Sequence, residues 1–304
     1  MAITKVRIKI DGKWTSLSKD ETGKWKGTIT APVVTSYNLS GGYYPVTIEA
    51  ANDAGTVRVV EATDGVWGDE LKLVVKELIK PVIVLVSPSD GAYVTNNKQQ
   101  ITFRVTDEAN GSGINLNQVK LKLDEQIYGH DSEGMAYSSV ANGYQFTYTP
   151  SEAVEDGKHT IELNAADNDG NAADTVNAGY TVDTVPPALN VSSPAAGLIT
   201  NNPLLLVEGT TNDLTSSPIT LAITLGEVDQ GSVTVGRDGA FSKSITLEEG
   251  ENTIVVTAED AAGKTSSVTR KVKLDTSIPE ISSLVLAPNP ADTSESVSIT
   301  VEVV

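Results

Sequence analysis

The sequence runs to 304 residues with a formal net charge of −18, 39% hydrophobic and 5% aromatic residues, and no cysteine. The acidity excludes a nucleic-acid binder, whose affinity rests on Lys and Arg against phosphates. The lack of cysteine excludes disulfides, thiolate chemistry and cysteine-ligated zinc, and no apolar run approaches the ~20 residues that cross a bilayer, so membrane insertion is not expected.

The opening stretch MAITKVRIKIDGKWT (Met1–Thr15) alternates charged and apolar residues, the period of a half-buried strand. It lacks the apolar core and cleavage site of a secretory signal. Either the protein is assembled in the cytoplasm or a signal lies outside these residues. Residues 1–80 hold 11 Lys+Arg against 10 Asp+Glu, whereas residues 81–304 hold 11 against 30, so the two regions present different surfaces.

One segment recurs three times along the chain: YPVTIEAANDAG (Tyr44–Gly55), HTIELNAADNDG (His159–Gly170) and NTIVVTAEDAAG (Asn252–Gly263). Each alternates apolar residues at period two and then breaks at an Asn/Asp-rich turn closed by Gly, which predicts an antiparallel strand and a tight turn. Ile48, Leu163 and Val256 are thereby expected at equivalent buried positions. The glycines Gly55, Gly170 and Gly263 are 115 and 93 residues apart, the size of a β-sandwich domain.

A second echo, PVIVLVSPSDGAYVTNN (Pro81–Asn97) and PALNVSSPAAGLITNN (Pro187–Asn202), marks domain starts, with a third copy at PEISSLVLAPNP (Pro279–Pro290). Proline at these junctions ends one strand and stiffens the linker. GKWKGTI (Gly23–Ile29) and GAFSKSI (Gly239–Ile245) place Trp25 and Phe241 at one core position. Only Ser151–Gly157 carries a short helix-like pattern, so the class is all-β. The domains expected are 1–80, 81–185, 186–277 and a partial one at 278–304.

The elements VDTVPP (Val182–Pro187), SP-x-x-G-x-x-T-NN, TDEANGSGI (Thr106–Ile114) and AADNDGN (Ala165–Asn171) resemble the bacterial Ig-like (Big-type) tandem repeats. Such repeats build surface adhesins, accessory modules of secreted carbohydrate enzymes, and tailed-phage virion proteins. The resemblance covers residues 81–277 well and 1–80 less well. It implies tandem immunoglobulin-like β-sandwich domains in an elongated array, located outside the cell, on its surface or in a virion. The opening MAITKVRIKIDG and the stretch LAPNPADTSESVSITVEV (Leu286–Val303) are most similar to phage tail-associated proteins.

The sequence contains no nucleophile elbow, and its two histidines, His130 and His159, sit in no catalytic arrangement; His159 reads as a surface strand residue. No catalytic or cofactor-binding residue is assigned. The carboxylates point to calcium, which takes six to eight oxygens. Asp167, Asp169 and Asn171 supply oxygens at alternate positions of one turn, and Asp107 and Asp183 are expected near a domain end, stiffening the side toward the third domain. The competing reading is that Asp, Asn and Gly stand there because they cap turns and tolerate left-handed backbone. In the third domain Lys264 replaces Asn171, and the turn reading holds.

All three tryptophans lie in residues 1–80. Trp67, Trp14 and Tyr43 are candidates for a ligand face toward a protein or a cell-surface glycan. The function expected is a non-catalytic spacer or adhesive stalk; the alternative is a carbohydrate-binding or accessory region of a secreted polysaccharide-active enzyme. Finally, Val6, Ile8 and Ile10 match Leu221, Ile223 and Leu225, which leaves the first segment without two opening strands. SSLVLAPNP (Ser282–Pro290) and SVSITVEVV (Ser296–Val304) read as two such strands. Either these residues end inside a longer array, or the tail of one molecule completes the head of the next by strand addition, a head-to-tail self-association; the reading preferred over both is a first domain that closes itself with its own excursion over 55–75.

Overall fold

The computed structural model describes all residues, Met1–Val304. The chain divides into two compact units, Met1–Asp183 and Thr184–Val304. Apart from one 3₁₀ turn at Leu116–Gln118, every regular element is a strand. The segment Ser151–Gly157 is loop leading into a strand, not helix, because its apolar Val154 packs onto the neighbouring sandwich core rather than forming a helical face.

In the first unit, β1 (Ile3–Ile10), β2 (Lys13–Ser16), β3 (Thr47–Asn52) and β4 (Val57–Val60) form one antiparallel sheet in the order β2-β1-β3-β4. The hairpin β1–β2 turns on Asp11 and Gly12, both at positive φ, which Asp tolerates and Gly favours. Ile8 pairs with Ile48 and Ile48 with Val60, so the apolar residues share one face. Ile8 lines one hollow with Leu17, Trp25 and Ile29, beside a short antiparallel pair of two-residue strands, Ser18–Lys19 and Trp25–Lys26. Ile48 is only half-buried, as are Val6, Ile8, Ile10 and Trp25, whereas Leu163 and Val256 are 0% exposed. Within the 55–75 excursion β4 lengthens the same sheet at its edge, while Lys72–Leu73 pairs with Tyr44–Pro45 and the Val46 N–H donates to the Leu71 carbonyl. The buried apolar residues of residues 1–80 are Tyr44, Val46 and Leu71.

Residues 81–183 build a full sandwich. One sheet is β5 (Val82–Ser87), β7 (Ile101–Thr106), β10 (Met135–Val140) and β11 (Gly143–Tyr148), in the order β10-β11-β7-β5. The other is β6 (Ala92–Val94), β8 (Lys120–Leu123), β9 (Gln126–Gly129), β12 (Gly157–Asn164) and β13 (Val176–Val182), in the order β6-β13-β12-β8-β9, with β6 parallel to β13. Ile101, Phe103, Val105 and Phe146 of the first sheet meet Leu121, Ile161, Leu163 and Tyr180 of the second in one core. Alternate residues along each strand point inward, which is why the period-two pattern shows in the sequence.

The second unit repeats the plan. β14 (Ala188–Ser193), β16 (Leu204–Asn212) and β19 (Ala240–Thr246) form one sheet in the order β14-β16-β19. β15 (Leu198–Thr200), β17 (Thr220–Leu225), β18 (Val228–Asp229), β20 (Gly250–Glu259) and β21 (Thr265–Leu274) form the other, in the order β15-β21-β20-β17-β18. Val191, Val207 and Phe241 pack across onto Ile223, Ile254 and Val256. A last antiparallel pair, β22 (Ile281–Ala287) and β23 (Ser298–Val303), follows with both strands exposed almost throughout.

Candidate cation site

The turn Ala165–Asn171 is built around one carboxylate. Asp167 Oδ1 accepts the backbone N–H groups of Gly170 (2.7 Å) and Asn171 (2.8 Å), and its Oδ2 accepts the Asn171 side-chain amide (2.7 Å). Gly170 stands at φ +97°, the left-handed region the turn requires. This is the turn chemistry read from DNDGN, and it orders the loop with or without an ion.

Beside Asp167 stand two further carboxylates. Asp107, 8% exposed, accepts the Gly113 N–H at Oδ2 (2.7 Å), while its Oδ1 is buried without a hydrogen-bond partner. Glu77 accepts the Ser112 N–H at Oε1, and its Oε2 is likewise buried and unpartnered. One ligand oxygen from each of Glu77, Asp107 and Asp167 lies within 4.8 Å of the others. None of the three forms an ion pair with Lys, Arg or His. Three carboxylates converge, two of them with a buried oxygen that no protein donor satisfies. A buried polar atom left unpaired carries the desolvation penalty in full, and a hard divalent cation is the partner that carboxylate oxygens suit. In donor chemistry these three carboxylates fit a hard cation such as calcium.

Of the residues singled out in the sequence, Asp107 and Asp167 come together. Asp169 and Asn171 lie alongside in other work. The Asp169 carboxylate accepts the Thr35 hydroxyl (2.5 Å) and the Glu77 N–H (3.1 Å), and the Asn171 amide also donates to the Glu77 carbonyl (3.2 Å). Asp183 is not part of this cluster. It follows the end of β13, where Val182 pairs with Gly157, and so stands at the opposite end of the sheet from the 165–171 turn. The cluster of Glu77, Asp107 and Asp167 is thus at the far end of the sheet from Asp183. It lies at the seam with residues 35–80, where Lys76 Nζ also donates to the Asp169 carbonyl (3.1 Å) and Lys80 pairs with Asp174 (2.7 Å).

Glu77 escaped the sequence reading although a signal was present. It stands four residues before Pro81, as Asp183 stands four before Pro187 and Asp275 four before Pro279. The linker acid belonging to the second sandwich is thus the one that precedes it.

The aromatic candidates stand apart. Trp14 lies on the outer face of the β1–β2 hairpin, 39% exposed, with the Arg7 guanidinium 4.1 Å from its ring centroid and Lys9 at 5.9 Å. Tyr43 is half-buried with Lys72 over its ring at 5.5 Å, and Trp67, 52% exposed, sits in a turn held by the Asp64 carboxylate. No ring contact joins the three. His159 is not a surface strand residue as expected. Its side chain is largely buried, with Nδ1 2.8 Å from Asp124 Oδ2 and Nε2 2.8 Å from the Glu155 carbonyl oxygen.

Residues 81–163 match the family described as bacterial Ig domain, and residues 187–276 match glucodextranase, domain B. These stretches coincide with most of one sandwich and nearly all of the next. The chain carries tandem immunoglobulin-like domains. Among curated proteins, bacillopeptidase F of Bacillus subtilis (strain 168) is 26% identical over 203 residues, 66% of this chain. The immunoglobulin-like chain spans only 12% of that relative's length. Among solved structures, the fibronectin(III)-like modules of Clostridium thermocellum CbhA align at TM-score 0.39 and 16% identity, over 64% of this chain and 94% of theirs. Immunoglobulin domains 1–5 of Sidekick-1 align at 0.42 and 13%, over 93% and 56%. No helix is long and apolar enough to cross a membrane.

Proposed function

We propose that this chain is a non-catalytic spacer of the kind appended to extracellular enzymes, and that calcium stiffens its first junction. The observation that carries the reading is the pair of buried, unpartnered oxygens of Glu77 and Asp107 converging with Asp167. A spacer must resist bending where one domain meets the next, and Glu77 reaches this cluster from the linker while Asp107 and Asp167 belong to the sandwich. An ion bound by all three ties linker to domain. The match to a domain of glucodextranase and the identity with a peptidase support the enzyme-appended context. The tail-associated context suggested by the sequence draws no support from them.

Scanning calorimetry of the full chain in calcium and in EDTA tests this. A ligand at about 100 times its Kd stabilises by ~2.7 kcal/mol, so calcium is expected to raise the transition that includes Met1–Asp183 by several degrees. Asp107→Asn keeps an oxygen for the Gly113 N–H and removes one of the crowded charges. It is expected to melt higher than the parent in EDTA and to lose the calcium response. A parent chain indifferent to calcium, or an Asp107→Asn chain with an undiminished response, refutes the site.

A further inference from the structure

The turn after β20 repeats the turn after β12. Ile254, Val256 and Ala258 stand where Ile161, Leu163 and Ala165 stand, all of them buried, and the next inward position is Asp260 in one sandwich and Asp167 in the other. Asp260 does the same local work. Its Oδ1 accepts the backbone N–H groups of Ala262 (2.9 Å) and Lys264 (2.9 Å), and Gly263 at φ +81° closes the turn. Turn chemistry therefore accounts for one oxygen of Asp260.

The other oxygen is where the two turns differ. At Asp167 the Asn171 side-chain amide fills Oδ2. Lys264 stands in the place of Asn171 and gives Asp260 no ion pair, so Asp260 Oδ2 is buried without a hydrogen-bond partner in a residue only 5% exposed. A second carboxylate stands beside it. Asp213 follows β16 directly, as Asp107 follows β7, and β16 holds in its sheet the place that β7 holds in its own. Asp213 Oδ1 accepts the N–H groups of Thr215 (2.7 Å) and Ser216 (2.8 Å), and Asp213 likewise has no ion pair. One carboxylate oxygen of Asp213 and one of Asp260 lie within 4.8 Å of each other. Two like charges at this distance, one of them buried, repel through a low dielectric. No cation of the protein answers them, and a buried acceptor without a donor carries its desolvation penalty in full.

We propose that Asp213 and Asp260 hold a hard divalent cation such as calcium at one end of the sandwich built from residues 184–277. Against the expectation from the sequence, lysine at position 264 leaves the second oxygen of this turn open where asparagine would have filled it. The ligand class is that proposed for Glu77, Asp107 and Asp167, but the residues belong to the other compact unit and none is shared.

Equilibrium dialysis of the full chain against calcium counts the sites, with Asp107→Asn, Asp260→Asn and the two combined as variants. Asn keeps an acceptor for the Ala262 and Lys264 N–H groups, so the turn persists, as circular dichroism verifies. The Asp107→Asn chain is expected to retain one bound calcium, and adding Asp260→Asn to weaken that event by at least about tenfold in Kd. Asp213→Asn, which leaves the Asp260 turn untouched, is expected to weaken the same event. An Asp107→Asn chain that binds nothing at about 10 mM calcium, above the weakest range for extracellular modules, overturns the proposal and leaves the site at Glu77 standing if the parent still binds. Binding undiminished by Asp260→Asn overturns it too. A parent and an Asp107→Asn chain that bind alike, with Asp260→Asn binding none, uphold this site and refute the one at Glu77.

Discussion

In the sandwiches at 81–183 and 184–277, alternating strands meet a second sheet of three strands or more; β1 and β3 carry the same alternation, but their apolar residues stay half-buried. Ile48, Leu163 and Val256 occupy one register of one repeated strand, yet only Leu163 and Val256 are fully buried. A period-two pattern specifies which face of a strand will be covered. It does not specify that anything covers it, because burial is a property of two sheets and the pattern is a property of one strand.

The sharpest way to break this comparison is to truncate the register in each region. Leu163→Ala removes a side chain from a closed core and is expected to destabilise its domain by about 3 kcal/mol. Ile48→Ala, at a half-buried site, is expected to lose about 1 kcal/mol. Urea titrations of the two variants measure this, and equal losses contradict the difference in burial between the two regions. Next in size is Asp167→Ala. Three donors lose their acceptor, at an expected ~2 kcal/mol in EDTA, and a thermal melt in EDTA separates this turn role from any role in holding a cation.

A smaller effect tests the wall of the second sandwich. Burial pushes the Asp124 carboxyl up, but hydrogen bonds from His159 and Thr160 outweigh it and hold the group below its ordinary 3.8. A depressed carboxylate stabilises the fold above its unfolded pKa, and that contribution is lost as pH falls through the lower folded value. Because the side chain is 43% exposed, screening keeps the effect small. Asp124→Asn is expected to lower the melting midpoint by a few degrees near neutrality, parent and variant converging as pH falls below about 4. The smallest effect is Tyr180→Phe. Burial pushes the Tyr180 hydroxyl up to about 12, and its oxygen has no hydrogen-bond partner. Removing it is expected to change stability by less than about 1 kcal/mol, in the stabilising direction, as read from the urea midpoint.

Much of the fold was legible because the sandwiches repeat: Ile161, Leu163, Ala165 and Ile254, Val256, Ala258 are all buried as their alternation predicts. The place of β1 in its sheet was legible in the match of Val6, Ile8 and Ile10 to strand β17, whereas the excursion over 55–75 gave no sign that β4 would extend the sheet at its edge. Two of the three carboxylates of the cation cluster, Asp107 and Asp167, were legible, since both sit in turns whose composition signals a loop end. Glu77 was not, because a lone Glu in KELIK has no local pattern and acquires meaning only from its distance to the next proline. His159 was misread for a related reason: its partner Asp124 is 35 residues away across a strand pair.

Native-state hydrogen exchange of the full chain in dilute solution tests the comparison between closed and open regions most directly, since amide protection reports the free energy of opening element by element. The account predicts slow exchange in β12 and β20 and much faster exchange in β1, β3, β22 and β23, although all of them pair with a neighbouring strand. Protection in β1 and β3 equal to that in β12 would contradict it, because half-buried strands would then resist opening as well as fully buried ones.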